Sequence, residues 1–152
     1  MKKYHVIGII LIIGVLFLLT GCKKQEDYSG DIKLFKFGYG SYFPGYTTYE
    51  IVKNDEKYEL TIQRINDPET ETINKNINKK YVDEISKVLS EYDVYKWDGF
   101  NKTDKNVMDG SSFSLDVTYD NDKSISAHGY MKYPKNYKEV KEKIEKILND
   151  IK

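Results

Sequence analysis

FSLDVTYDNDKSISAHGYM, residues 113–131, decides the fold. Phe113, Leu115, Val117 and Tyr119 alternate with Ser114, Asp116 and Thr118, the period-two pattern of a strand with one buried and one wet side. After the polar residues Asp120 to Lys123 the alternation resumes with Ile125, Ala127, Gly129 and Met131. Two such runs around a short polar turn read as an antiparallel hairpin, and its apolar side needs a second layer to cover it. A three-residue turn at Asn121 to Lys123 keeps the apolar sides together and pairs Tyr119 with Ile125, Val117 with Ala127 and Leu115 with Gly129. That register sets Asp116 directly opposite His128 on the polar side.

The covering layer is visible on both flanks. Upstream, Tyr81, Val82, Ile85, Val88, Leu89 and Tyr92 form a single stripe at period 3.6, backed by Asp83, Glu84, Lys87 and Glu91. Downstream, Pro134 ends the strand region and Asn136 with Glu139 forms an approximate capping box. The apolar stripe of Tyr137, Val140, Ile144, Ile147, Leu148 and Ile151 follows it.

Further upstream lie three more strand-like runs: Asp31 to Tyr39, Tyr46 to Lys53 and Lys57 to Ile65. A tight loop at Asn54-Asp55 pairs Ile51 with Tyr58 and Tyr49 with Leu60, and sets Glu50 against Glu59. Asn66 to Asn78 carries Pro68, several asparagines and only Ile73 and Ile77 as apolar residues, so it reads as a loop with room for a short strand about Thr72. Lys96 to Ser112 holds turns at Asp98-Gly99 and Asp109-Gly110. The order β-β-β-α-β-β-α predicts an α+β domain: an antiparallel sheet of about five strands, two helices on one face, and the other face polar and open.

The N-terminus predicts where the domain works. Lys2 and Lys3 precede an uncharged, almost wholly apolar run from Val6 to Thr20, the shape of a secretory signal and too short for a comfortable membrane span. Leu19-Thr20-Gly21-Cys22 closes that run with the only cysteine in the chain. This tetrapeptide resembles the lipobox of bacterial lipoproteins. The resemblance implies a diacylglycerol on the Cys22 thiol, cleavage before it, and anchoring of the mature chain to the outer face of the cell membrane. The expected organisation is therefore a signal peptide over 1–21, lipidated Cys22 with a polar tether over 22–30, and one domain over 31–152. Extended, Lys23 to Gly30 reach no more than about 29 Å, which keeps the domain near the bilayer.

Composition narrows the function classes. The 152 residues carry 24 basic and 24 acidic side chains; losing the leader with Lys2 and Lys3 leaves 22 against 24, without the basic excess of a nucleic-acid binder. Abundant Tyr, Lys and Asn beside a single arginine and a single alanine match the codon bias of a low-GC Gram-positive host. With Cys22 committed to lipid, the mature domain has one histidine and no free thiol, so neither a zinc site nor a disulfide is expected. The turn acids lack EF-hand spacing, and no cofactor is expected.

Two constellations stand out. Asp116 beside His128 has the chemistry of a carboxylate orienting an imidazole base, although no nucleophile-elbow motif accompanies it. Tyr39, Tyr42, Phe43 and Tyr46 surround a Gly/Pro loop, where rigid rings with polar tips suit stacking on a sugar or anchoring a peptide. WDGF at 97–100, DGSSFSL at 109–115 and GYMKYPKNY at 129–137 resemble a pattern in uncharacterised lipoproteins and small proteins of low-GC Gram-positive bacteria. That resemblance implies a shared fold and no assigned activity. The expected function is a non-catalytic binding module for a wall polymer, peptide or partner protein. The alternatives are a small surface hydrolase using Asp116 and His128, or a structural or inhibitory subunit of a membrane complex.

Overall fold

The computed structural model describes residues 28, 30–41, 43–66 and 69–151, with residues 66 and 69 described by their backbone. The leader, the lipobox with Cys22 and Tyr42 lie outside the described residues. Seven strands form one sheet: β1 (Ile32–Ser41), β2 (Gly45–Asn54), β3 (Lys57–Asn66), β4 (Glu69–Ile77), β5 (Phe100–Thr103), β6 (Ser111–Tyr119) and β7 (Ser124–Tyr130). They lie in the order β4-β3-β2-β1-β6-β7-β5. Helices α1 (Lys79–Glu91) and α2 (Tyr137–Asn149) bury Val82, Ile85, Val88, Leu89, Val140, Ile144 and Leu148 in one core with the sheet. Among the described residues no helix is long and apolar enough to cross a membrane.

This corrects the five-strand antiparallel expectation: among the described residues the sheet has seven strands and is mixed, because β5 runs parallel to β7. Both additions sit at the sheet edges, where the hydrophobic signal is weakest. β4 (ETETINKNI) has one side against β3 and is otherwise polar, so its alternation is Thr and Asn against Glu, Ile and Lys. β5 is four residues long with Phe100 as its single apolar anchor, hidden between two Asp-Gly turns.

Both hairpin registers differ from expectation by two residues. Asn54 pairs with Lys57, so the β2–β3 loop is Asp55-Glu56 with Asp55 left-handed (φ 54°). Ile51 then faces Leu60, Tyr49 faces Ile62, and Glu50 faces Thr61 rather than Glu59. In the β6–β7 hairpin the Tyr119 amide donates to the Lys123 carbonyl (2.9 Å) and the Asp122 amide to the Tyr119 carbonyl (3.2 Å). The three-residue loop is thus Asp120 to Asp122, closed by a left-handed Asp122 (φ 60°). Aspartate tolerates that conformation because its short side chain bonds locally. Val117 pairs with Ile125, Leu115 with Ala127 and Phe113 with Gly129. A slip of two keeps every side chain on its face, so the core survives while every cross-strand neighbour changes.

The helices start differently. The Asn78 side chain caps α1 by accepting from the Lys80 amide (2.9 Å). Asn136 is left-handed (φ 62°) and its side chain makes no cap bond, so the expected capping box before α2 does not form. Between the helices, Phe113 sits among the rings of Tyr137 (4.6 Å between centroids), Tyr133 (5.7 Å), Phe100 (6.0 Å) and Trp97 (6.4 Å). The Trp97 indole donates to the Lys135 carbonyl (3.1 Å). The three segments of the WDGF pattern therefore converge on one aromatic cluster. Gly129 makes this possible, since a Cβ there would lie 2.5 Å from the Phe113 ring and 2.1 Å from the Lys132 carbonyl.

Tyr28 stacks on Tyr95 (5.6 Å) and meets Tyr119 edge-on (6.0 Å). Tyr95 belongs to the 3-10 turn Val94–Trp97, which lies on the helix side of the sheet. The chain therefore enters the domain from the covered side.

Candidate binding surface

The uncovered side of the sheet is built from the residues that alternate with the core. One row runs Thr61, Glu50, Lys36, Asp116 and Ser126 across β3, β2, β1, β6 and β7. The next runs Thr48, Gly38, Ser114, His128 and Asn101, and a third Tyr46, Gly40, Ser112, Tyr130 and Thr103. Lys36 and Glu50 form an ion pair at 2.9 Å, so the lysine between two acidic strands neutralises the one with which it pairs.

Asp116 and His128 lie diagonally, with Oδ1 and Nε2 3.8 Å apart, and not directly opposite as the sequence reading placed them. Ser126 stands between them. Its hydroxyl donates to Asp116 Oδ1 (2.7 Å) and lies 3.2 Å from His128 Nε2. The hydroxyl is thus bonded to the carboxylate and within reach of the imidazole, whose tautomer sets which of the two donates. In nucleophile activation the carboxylate supports the ring nitrogen far from the serine, whereas here Asp116 is bonded to the serine itself and lies on the same nitrogen's side, 3.8 Å from Nε2. Both ionisable side chains are well exposed (38% for Asp116, 49% for His128) on a flat sheet face, and the Ser126 amide is held by Asp98 Oδ1 (2.9 Å). The trio is arranged as a surface hydrogen-bond chain.

Beside it the rows dip. A depression of about 310 Å³ is lined by Tyr46, Asn101, Ser112, Ser114, His128 and Tyr130 among others. Gly38 forms part of its shape. A Cβ at that position would lie 2.6 Å from the Tyr46 hydroxyl and 2.9 Å from Ser114 Oγ, so only glycine lets the Tyr46 ring fold across β1 to reach Ser114 Oγ (3.2 Å). The surface offers a ring, an amide, hydroxyls and an imidazole within one shallow site, with the charges of Lys36, Glu50 and Asp116 in the neighbouring row.

The expected aromatic loop is divided by the sheet. Tyr39 points to the helix side, packs on Phe37 (5.5 Å) and Tyr49 (6.3 Å), and donates to the Glu145 carboxylate of α2. Burial and that carboxylate push its phenol far above the ordinary range, and Lys141 Nζ sits 4.0 Å from its ring centroid. Tyr39 is therefore half-buried against the core on the helix side. Tyr46 is on the open face, and Phe43 projects from the hairpin tip, 84% exposed. Asn101 and Tyr130 went unnoticed in the sequence. The signal for Asn101 was the parallel pairing of β5, which a lone apolar residue cannot announce; Tyr130 sits at the polar position of an already assigned strand.

A second hollow of about 400 Å³ lies beyond the sheet edge at Trp97, Phe100, Lys96, Lys102 and Lys135. Its floor is the aromatic cluster that holds the fold, and Lys96 is already paired with Asp93 (2.6 Å). Compared with known protein families, with curated proteins and with solved structures, the chain shows no match.

Proposed function

We propose that the chain is a lipoprotein, held at the outer face of the cell membrane by diacylglycerol on Cys22, whose domain binds a neutral, polyhydroxylated wall polymer on its open sheet face without catalysing a reaction. The observation that carries this reading is the side of entry. Tyr28 is stacked against Tyr95 on the helix layer, so an anchor reached through the preceding residues draws the helices toward the bilayer and turns the open face outward. The chemistry of that face agrees. Sugars are recognised by aromatic rings against their C–H faces and by amides and hydroxyls at their rims. Tyr46, Asn101, Ser114 and Tyr130 supply both in one depression. A hydrolase is disfavoured by the position of Asp116, on the Ser126 hydroxyl rather than on the far ring nitrogen of His128, and by the exposure of both ionisable groups.

Two measurements test the two halves. Growth with labelled palmitate must label the wild type and not Cys22→Ala; unlabelled wild type refutes the anchor. Co-sedimentation of the purified protein with wall sacculi must be lost in Tyr46→Ala and Asn101→Ala and kept in Glu84→Ala on the outer side of α1. Absent binding, or binding equal in all variants, refutes the wall-polymer reading.

A further inference from the structure

β4 ends the sheet with nine residues in unbroken register against β3 and no strand on its outer side among the described residues. Free sheet edges are normally blunted by proline, a bulge, shortness or charged side chains, because their unpaired amides and carbonyls template another strand. β4 has neither proline nor bulge and is not short, and its charges, Glu69, Glu71 and Lys75, are of both signs. Its sequence, TETINKN over residues 70–76, is instead complementary to its own reversal about Ile73.

We infer that β4 pairs antiparallel with β4 of a second copy of this chain, about a two-fold axis through Ile73, joining two sheets into one of fourteen strands. This register uses the whole strand. It sets Glu71 opposite Lys75 of the second copy twice, Thr72 opposite Asn74 twice, and Ile73 against itself. Moving the axis by one residue puts Ile73 against Glu71 or Lys75; moving it by two sets Glu71 against Glu71 or Lys75 against Lys75. The register is therefore selected by charge and by burial together. The neighbouring groups fit. Glu71 is already paired with Arg64 (2.9 Å) on the β3 side, so its carboxylate would lie between two cations. Lys75 donates to the Ile151 carbonyl (3.2 Å) and has two further protons for a carboxylate. Half-buried Ile73 packs against the core at the sheet margin, and the pairing continues that apolar row through the axis into the second copy.

The inference is independent of the wall-polymer reading, but the two geometries agree. An axis normal to the sheet is also the only two-fold that lets two copies anchor equivalently in one bilayer with both open faces turned the same way.

The test uses the full chain in intact membranes. Ile73→Cys brings two thiols across the axis, within the roughly 4.5–5.5 Å of directly opposed Cβ atoms that a disulfide spans with small adjustment. Mild oxidation should give a reducible dimer, which Ser126→Cys on the open face does not give. If Ile73→Cys disturbs folding, the exposed pair Thr72→Cys with Asn74→Cys reports the same contact. Lys75→Glu in the Ile73→Cys background opposes like charges at two positions and should raise the concentration needed for cross-linking about tenfold. Adding Glu71→Lys should restore it. Cross-linking no greater than that of Ser126→Cys overturns the dimer, and cross-linking indifferent to both charge changes overturns the register that defines it.

Discussion

Replacing Tyr58 with phenylalanine stabilises this protein, and the same replacement at Tyr39 destabilises it. Tyr58 is 2% exposed, and its hydroxyl is shut off from solvent with no hydrogen-bond partner among the described residues. Burial pushes the phenol above its ordinary range. A buried unpaired hydroxyl costs about 1–3 kcal/mol, and removing one oxygen from a tightly packed ring leaves almost no void. The expected gain for Tyr58→Phe is about 1–2 kcal/mol, a rise of about 4–8 °C in Tm for a domain of this size. At Tyr39 the hydroxyl is bonded to the partly buried Glu145 carboxylate. Phenylalanine keeps the ring under Lys141 (4.0 Å) and leaves the Lys141–Glu145 pair (2.7 Å), but it strips one donor from a charged acceptor. The expected loss is about 1–2 kcal/mol. Trp97, the single tryptophan and 3% exposed, reports unfolding by fluorescence in urea. A lowered midpoint for Tyr58→Phe, or the same sign for both variants, refutes the hydrogen-bond accounting.

Phe113→Ala should cost about 3–5 kcal/mol, since it empties the centre of the ring cluster made with Trp97, Tyr133 and Tyr137, and urea unfolding measures it. Gly38→Ala should leave the fold intact but push Tyr46 off Ser114, abolishing wall co-sedimentation without a comparable loss of stability; retained binding would show that the depression is not the site. Lys79 and Lys53, each 3.2 Å away, hold the Asp31 carboxyl below the usual carboxylate range by hydrogen bonding. A depressed carboxyl adds stability above its unfolded value, about 3.9, and loses it as the pH falls through the folded value. Because the side chain is 39% exposed, Asp31→Asn should cost under about 1 kcal/mol at neutral pH. That difference should vanish on acidification through the carboxylate range, and a difference in Tm that widens in acid refutes the pairing.

The sequence announced what depends on hydrophobic period. Both helices appear where their stripes predict them, and five strands follow the alternation of Phe35, Phe37, Tyr49, Ile51, Leu60, Ile62, Leu115, Val117 and Ile125. The strand it allowed only as a short one about Thr72, and the one it left out, are the edges. An edge strand is wetted along its rim as well as on one side, so β4 satisfies the sheet with Thr and Asn where a central strand would need Val or Ile. β5 earns its place through a parallel pairing with β7 that leaves no local trace in FNKT.

The expected polar pairings failed where the core did not, and the reason is geometric. Core residues need only the correct side of the sheet, which a slip of two preserves; polar partners need the correct neighbour, which it changes. The turn at Asp120 to Asp122, one residue earlier than Asn121 to Lys123, moved His128 from Asp116 to Ser114 and brought Ser126 opposite Asp116. The carboxylate–imidazole couple legible in the sequence thereby became a chain in which Ser126 stands between Asp116 (2.7 Å) and His128 (3.2 Å). The slip of two at Asp55 dissolved the Glu50–Glu59 pair and left Glu50 to Lys36. Function on an open sheet is thus written in turn conformation, one residue at a time. On this chain two left-handed aspartates, Asp55 and Asp122, decide which polar groups stand together on the exposed face: Lys36 with Glu50, and Ser126 between Asp116 and His128.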